Sequence, residues 1–371
     1  MKLTVLQEKL KNAVSLTSHF ISVKAQLPIL SNILLKTDKS RLILQATNLE
    51  TSISTSIGAK IETEGEITVN GKVLNELVSN LQSGQVELEA VKEQLKITSN
   101  NFKSNILGSN TSDFPIVPNT LSKDSFTLKT SEFTNSLAKI LFAVSSDETR
   151  PILTGVLFVF LKGRLSLVST DGFRLTEIQL KTKIDIPDLK IIVPKTILNE
   201  ISKLTNNEDT EVSFDKQNNQ IIFKIEDTVL SSRIIEGEFP DYQKIIPTSS
   251  IATINVDKNE LEKAIKLASV FARDSGKIIK LRINSEELII NAESSASGNQ
   301  ETSLGIRREE LGDEKEIDIM FNYSFIEDIL KVVTDDEVKI IIAPDNKACK
   351  FLDSKSSNLL HIIMPIKIQN Q

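Results

Sequence analysis

The chain has 371 residues, 40% apolar and 25% charged, with a formal net charge of −6; this is ordinary soluble-protein composition and enough length for two or three domains. The lone Cys349 excludes an internal disulfide framework and a cysteine-rich zinc site. No apolar run approaches the roughly 20 residues of a membrane-spanning helix, and the opening residues carry no signal-peptide core, so a cytoplasmic protein is expected. No third of the chain is basic, and residues 247–371 hold 16 basic against 21 acidic residues. That balance argues against nucleic acid as a partner unless positive charge is gathered on one surface.

In chain order, a first helix is expected where Leu6, Leu10, Ala13 and Val14 fall at i, i+4, i+7 and i+8, with His19 at its end in a capping or exposed role. Alternating strands follow through 28–35 and 41–48, then a second helix near 72–81. The same order returns from Phe133, Leu137, Ile140 and Leu141, a helix that Ser131 is placed to cap. Pro151-Ile152-Leu153 and Arg164-Leu165 repeat Pro28-Ile29-Leu30 and Arg41-Leu42 at an offset of 123, and Leu288 lies a further 123 on. The middle helix also recurs, as Val73-Leu74-Asn75-Glu76-Leu77, Ile197-Leu198-Asn199-Glu200-Ile201 and Phe325-Ile326-Glu327-Asp328-Ile329. Strands at 211–214 and 220–225 alternate in period two. The third opening helix carries Leu261, Ala264, Ile265 and Ala268. Two independent patterns with one period indicate three tandem copies of one domain, at 1–120, 126–246 and 247–371. Two helices and many antiparallel strands per copy make the fold class α+β, with helices on one face of each sheet.

Motifs for chemistry are absent: there is no GxxxxGK[ST] or GxGxxG, and His19 and His361 have no partner at motif spacing. Asp171, in Thr170-Asp171-Gly172, reads either as a turn residue or as a carboxylate ligand that Glu148 would join in a metal-dependent hydrolase; Asp-Gly between strands favours the turn. Glu208-Asp209 and Asp335-Asp336-Glu337 read as solvated loops. Lysines recur on the predicted helices, as Lys72, Lys139, Lys203 and Lys266. They form solvated faces, or, if all helices line one surface, a phosphate-binding one. A repeat-built interaction protein unrelated to DNA is the third reading.

Several segments resemble the bacterial DNA sliding-clamp family, the DNA polymerase III beta subunits, over nearly the whole chain. They are Asp147-Glu148-Thr149-Arg150-Pro151-Ile152-Leu153, Thr170-Asp171-Gly172-Phe173-Arg174-Leu175, Glu236-Gly237-Glu238-Phe239-Pro240-Asp241-Tyr242 and the terminal Ile362-Ile363-Met364-Pro365-Ile366-Lys367. The resemblance implies a non-enzymatic processivity factor without metal or cofactor. It would be a head-to-tail homodimer whose six domains close into a ring, strands outside and helices around sequence-independent duplex DNA. It also implies a pocket between the second and third domains for short peptides of the polymerase, the clamp loader and repair proteins. Carried over residue by residue, that pocket comprises Leu153, Thr170, Gly172, Phe173, Arg174, Leu175, Pro240, Lys244, Ile245, Ile362, Ile363, Met364, Pro365, Ile366 and Lys367. Lys24 and Arg150 match loop residues that touch DNA, and Val270 and Phe271 match the dimer contact, whose other side is expected near 102–107. Lys244 and Lys367 stand where the family often has arginine, Phe173 where histidine is common and Phe325 where tyrosine is frequent. Lysine lacks arginine's two-pronged fork.

Overall fold

The computed structural model describes residues 1–22, 27–122, 125–182, 189–204, 208–311, 316–344, 347–353 and 358–367. The first repeat runs β1 (Lys2–Leu6), α1 (Gln7–Ser18), β2 (Asn32–Asp38), β3 (Arg41–Thr47), β4 (Thr51–Gly58), β5 (Lys60–Thr63), β6 (Glu66–Asn70), α2 (Gly71–Asn80), β7 (Gln85–Val91), β8 (Gln94–Ser99) and β9 (Phe102–Ser109). The second runs β10 (Ser125–Lys129), α3 (Thr130–Ile140), β11 (Gly155–Leu161), β12 (Arg164–Thr170), β13 (Arg174–Lys181), β14 (Leu189–Pro194), α4 (Lys195–Ser202), β15 (Asp209–Asp215), β16 (Gln220–Ile225) and β17 (Thr228–Arg233). The third runs β18 (Ala252–Asp257), α5 (Lys258–Ala272), β19 (Ile278–Ile283), β20 (Glu287–Ser294), β21 (Gly298–Gly305), β22 (Arg307–Leu311), β23 (Ile317–Asn322), α6 (Tyr323–Leu330), β24 (Glu337–Ile342), β25 (Cys349–Asp353) and β26 (Leu359–Ile363).

Each repeat opens with a strand that periodicity did not reveal. Leu6 accordingly ends β1 in an extended conformation and is 57% exposed, so the buried apolar residues of α1 begin at Leu10 and continue through Ala13 and Val14. The helix at 130–140 starts at Thr130, which puts Ser131 inside its first turn rather than at the cap. The middle helices lie where the apolar spacing places them. Asn70 caps α2 by accepting the Val73 N–H at 3.1 Å, and Asp257 caps α5 through the Glu260 N–H at 2.9 Å.

Contacts divide the described chain into two compact units, residues 1–131 with 204–234, and 132–203 with 235–371. The first holds one antiparallel sheet of 13 strands, in the order β10-β15-β16-β17-β4-β3-β2-β6-β9-β8-β7-β1-β5. Helices α1 and α2 pack side by side, α1 lying on β3 and β4. Leu10, Val14, Leu74 and Val78 are fully buried there. The second unit holds a nine-stranded sheet, β14-β11-β12-β13-β26-β25-β24-β18-β22, and a four-stranded one, β21-β20-β19-β23. In it Phe133 of α3 meets Phe158 of β11 edge-on, centroids 6.2 Å apart, and α5 buries Leu261, Ala264, Ile265, Ala268 and Ala272.

One rule joins successive repeats. The last strand of a later repeat pairs with the third main strand of the one before it: β17 with β4 (Ser232 opposite Thr51) and β26 with β13 (Ile363 opposite Arg174). Hydroxyl pairs line the first seam, Ser52 with Ser231 at 2.6 Å and Thr55 with Thr228 at 2.8 Å.

Phe133 is fully buried and carries the contact of α3 with its sheet. Phe133→Ala is expected to cost about 3–5 kcal/mol, read as a lower urea midpoint for the second unit by circular dichroism, the chain having no tryptophan.

Candidate functional site

The turn at 170–174 joins β12 to β13. Asp171 Oδ1 accepts the N–H groups of Phe173 and Arg174, both at 3.0 Å. Thr170 Oγ1 donates to the Arg174 carbonyl at 2.6 Å and accepts the Gly172 N–H at 3.1 Å. Gly172 sits at φ +92, where a Cβ is strained. Asp171 is therefore a turn-forming carboxylate, and its second oxygen accepts from Arg174 Nε at 2.9 Å. Among the described residues no cluster of histidine, cysteine and carboxylate groups is arranged to hold a metal.

The turn presents Phe173 with its side chain 65% exposed, and the Phe173 carbonyl accepts the Met364 N–H at 2.8 Å. Behind it lies a core of Leu157, Val159, Val168, Leu175, Ile192, Ala348 and Ile362, against which Ile152, Phe239, Tyr242 and Ile246 pack. The expected pocket residues thus separate by depth. Leu153, Thr170, Leu175, Ile362 and Ile363 are buried; Arg174, Pro365 and Ile366 are half-buried; Gly172, Phe173, Pro240, Lys244, Ile245, Met364 and Lys367 are exposed. Three exposed apolar side chains, Phe173, Ile245 and Met364, rise from segments anchored on one core. Lys244 pairs with Asp241 at 3.0 Å, an exposed contact of little energetic weight.

Arg174 is held from every side. Nη1 donates to Asp328 Oδ2 at 2.7 Å and Nη2 to the Phe142 carbonyl at 2.8 Å, while the guanidinium lies 5.3 Å from the Phe142 ring centroid and 4.6 Å from that of Phe325. Burial alone would raise the Asp328 carboxyl, but bonds from Arg174 and Lys331 hold it below the usual range. The His361 ring stacks at a tilt on Phe142, 5.4 Å between centroids, and its Nδ1 is 2.6 Å from Thr176 Oγ1. Complete burial, reinforced by the charge of Arg174, pushes His361 down to about 3, so it is a neutral core residue. His19 is exposed at the C-cap of α1. Burial raises the Cys349 thiol to about 12.

Of the cationic residues expected to face DNA, Lys24 lies outside the described residues. Arg150 is exposed just ahead of the 3-10 turn Pro151–Leu153. Lys72 on α2 is exposed and Lys139 on α3 half-buried. Lys203 pairs with Glu200 at 2.8 Å and Lys266 with Glu262 at 2.6 Å, both lysines remaining largely exposed. On α5, Val270 is 57% exposed and Phe271 half-buried, and Leu267 joins them at 56%. Sequence reading missed Leu267, although its i, i+3 spacing from Val270 puts both on one stripe. In the first unit, Val73, Glu76, Leu77, Asn80, Leu81 and Phe102 line a cleft of about 350 Å³ beside β9.

Family models of the N-terminal, central and C-terminal domains of the DNA polymerase III beta subunit match residues 1–118, 127–241 and 243–367. The chain belongs to the DNA polymerase III beta-subunit family. It is 28% identical to the beta sliding clamp of Synechocystis sp. over the whole of both chains. The solved sliding clamp of Bacillus subtilis matches with a TM-score of 0.92 and 25% identity, covering all of both chains. A Pseudomonas aeruginosa sliding clamp solved bound to griselimycin shares the fold, at a TM-score of 0.92 and 21% identity over 99% of this chain and 100% of that one. The chain is thus built of three clamp domains with antiparallel sheets and serves as a sliding clamp for DNA polymerase III. Among the described residues no helix is long and apolar enough to cross a membrane.

His361 is neutral in the folded clamp while its unfolded value is 6.5. Below that value the unfolded chain takes up a proton that the folded chain refuses, so this contribution is complete above about pH 6.5 and is lost as pH falls toward 3. Between pH 6.5 and 5 the wild type should lose about 2 kcal/mol more stability than His361→Asn, measured by urea denaturation across that range.

Proposed function

We propose that two chains close head to tail into a ring around duplex DNA and that exposed apolar groups around Phe173 and Met364 receive peptides of polymerase, loader and repair partners. The seam rule carries this reading. Applied to the ends of the chain, it leaves the last strand of repeat one, β9, and the third main strand of repeat three, β21, as the pair still to be made. β21 is an edge strand, and β9 is paired on its second side only at Gly108 and Ser109 among the described residues. Open edges of this length invite pairing with another chain. Because the two edges differ, the contact is heterologous and two of them close a dimer. Carrying the register of the existing seams through the repeats sets Ile106 of one chain opposite Gly298 of the other. Leu267, Val270 and Phe271 then supply an apolar knob for the cleft lined by Val73, Leu77, Leu81 and Phe102, the first-domain side that sequence alone left near 102–107.

The three domains are assigned to 1–120, 126–246 and 247–371, which the extents of the three family models support. Arg150, Lys72, Lys139, Lys203 and Lys266, with Lys24, are assigned to DNA. Lysine contacts to phosphate carry no sequence information, which suits a sliding ring, and they reconcile an acidic chain with a nucleic-acid partner. The chain acts in the cytoplasm and catalyses no reaction of its own; the polymerase supplies the chemistry. Turn formation by Asp171 weighs against the metal-hydrolase reading.

Sedimentation equilibrium should give twice the chain mass for the wild type and a monomer for Leu267→Asp, whose exposed position spares the fold. A wild type that stays monomeric at micromolar concentration sinks the ring. Griselimycin should bind the wild type and bind Met364→Asp at least about tenfold more weakly, measured by surface plasmon resonance. Equal binding by the variant removes the pocket.

A further inference from the structure

The turn that carries Phe173 has a twin. In repeat one, Asn48 Oδ1 accepts the N–H groups of Glu50 and Thr51 at 3.0 and 2.7 Å, and Thr47 Oγ1 donates to the Thr51 carbonyl at 3.1 Å while accepting the Leu49 N–H at 3.0 Å. The Glu50 carbonyl accepts the Arg233 N–H at 2.8 Å, as that of Phe173 accepts from Met364. Leu49 even holds φ +75 where repeat two has Gly172. Thr51 occupies the place of Arg174. The same turn therefore forms without an arginine, and what Arg174 adds must lie elsewhere.

What it adds is a tie between repeats. Its three nitrogens reach Asp171 in the turn, the Phe142 carbonyl in repeat two and Asp328 on α6 of repeat three. Its guanidinium also lies over the Phe142 ring of repeat two and the Phe325 ring of repeat three. The side chain is 11% exposed and each of its three nitrogens already donates to the protein, so its place is fixed without a ligand. We propose that Arg174 is a positioning residue for the peptide pocket: it leaves the ligand untouched and holds the Phe173 turn and the Met364 segment against α6, so that the rim exists before a peptide arrives. This rests on the pocket reading. Three donors fixed in one plane are specific to a guanidinium, so lysine cannot replace it, and Asp328 shares the function from outside the pocket.

The test follows griselimycin binding to full-length dimers by surface plasmon resonance, alongside amide hydrogen exchange. Loss of the tie lowers the fraction of competent pocket, and apparent affinity falls by that fraction. Arg174→Gln and Arg174→Lys should both lower the association rate about tenfold, and Asp328→Asn should lower it by a smaller factor, with dissociation rates within about twofold of wild type. The Met364 amide should exchange faster in all three variants while the Arg233 amide, in the twin turn, stays as protected as before. Faster dissociation with unchanged association would show that Arg174 touches the ligand and would overturn the proposal. Unchanged Met364 exchange, or full rescue by lysine, would overturn it as well, whatever the ligand does. Met364→Asp separates the two readings: if it binds as wild type the pocket is misplaced, whereas if it fails to bind while Arg174→Gln binds normally, the pocket stands and the tie falls.

Discussion

Everything in this chain depends on how one repeat's final strand completes another repeat's sheet. A clamp repeat alone leaves strand edges whose N–H and C=O groups have no partner, and such groups are costly to bury and dangerous to expose. The seams β17 with β4 and β26 with β13 satisfy them with an antiparallel ladder and a shared core. The compact units consequently do not follow the repeats: the second repeat gives one half-sheet to each. Domain boundaries read from sequence similarity and boundaries read from packing are different quantities here, because the strongest contacts cross from one repeat to the next.

The seam also explains where sites arise. The turn at 170–174 stands at the end of β12, and the strand that follows, β13, receives β26. The residues just beyond β26, from Met364 onward, are thereby laid against that turn by a backbone hydrogen bond. Segments almost two hundred residues apart in sequence meet because strand pairing brings them together. The conformations are over-determined: an Asx turn, a glycine at positive φ and a guanidinium with three partners all constrain five residues. That is the condition under which exposed apolar side chains such as Phe173 can be held rigid instead of collapsing.

Much of this was legible in the sequence. The repeat period and the six helices followed from spacing, and the exposed C-cap place of His19 from its position at the end of the first helix. The turn at Asp171 followed from local chemistry. What escaped has identifiable physical reasons. The opening strands β1, β10 and β18 run directly into helices, so no turn residues separate the two periods, and Leu6 was assigned to the wrong one. Exposed Leu267 escaped because it lies off the buried stripe of Leu261, Ala264, Ile265 and Ala268 and belongs to no motif. The partners of Arg174 are 3, 32 and 154 residues away, and only the first of those separations is visible to local reading.

Cys349 carries a consequence for the physical behaviour of the third repeat. It begins β25, in the interior of the nine-stranded sheet between β24 and β26, and burial holds its thiol far from the reactive thiolate form. A chain with this single cysteine has no thiol to offer a reagent while β24, β25 and β26 stay together. Modification under native conditions therefore counts openings of that sheet. When reclosing outpaces the reagent, the rate reports the free energy of local opening; when it does not, the rate is that of opening itself. The molecule contains its own clock for the strands that tie its third repeat to its second.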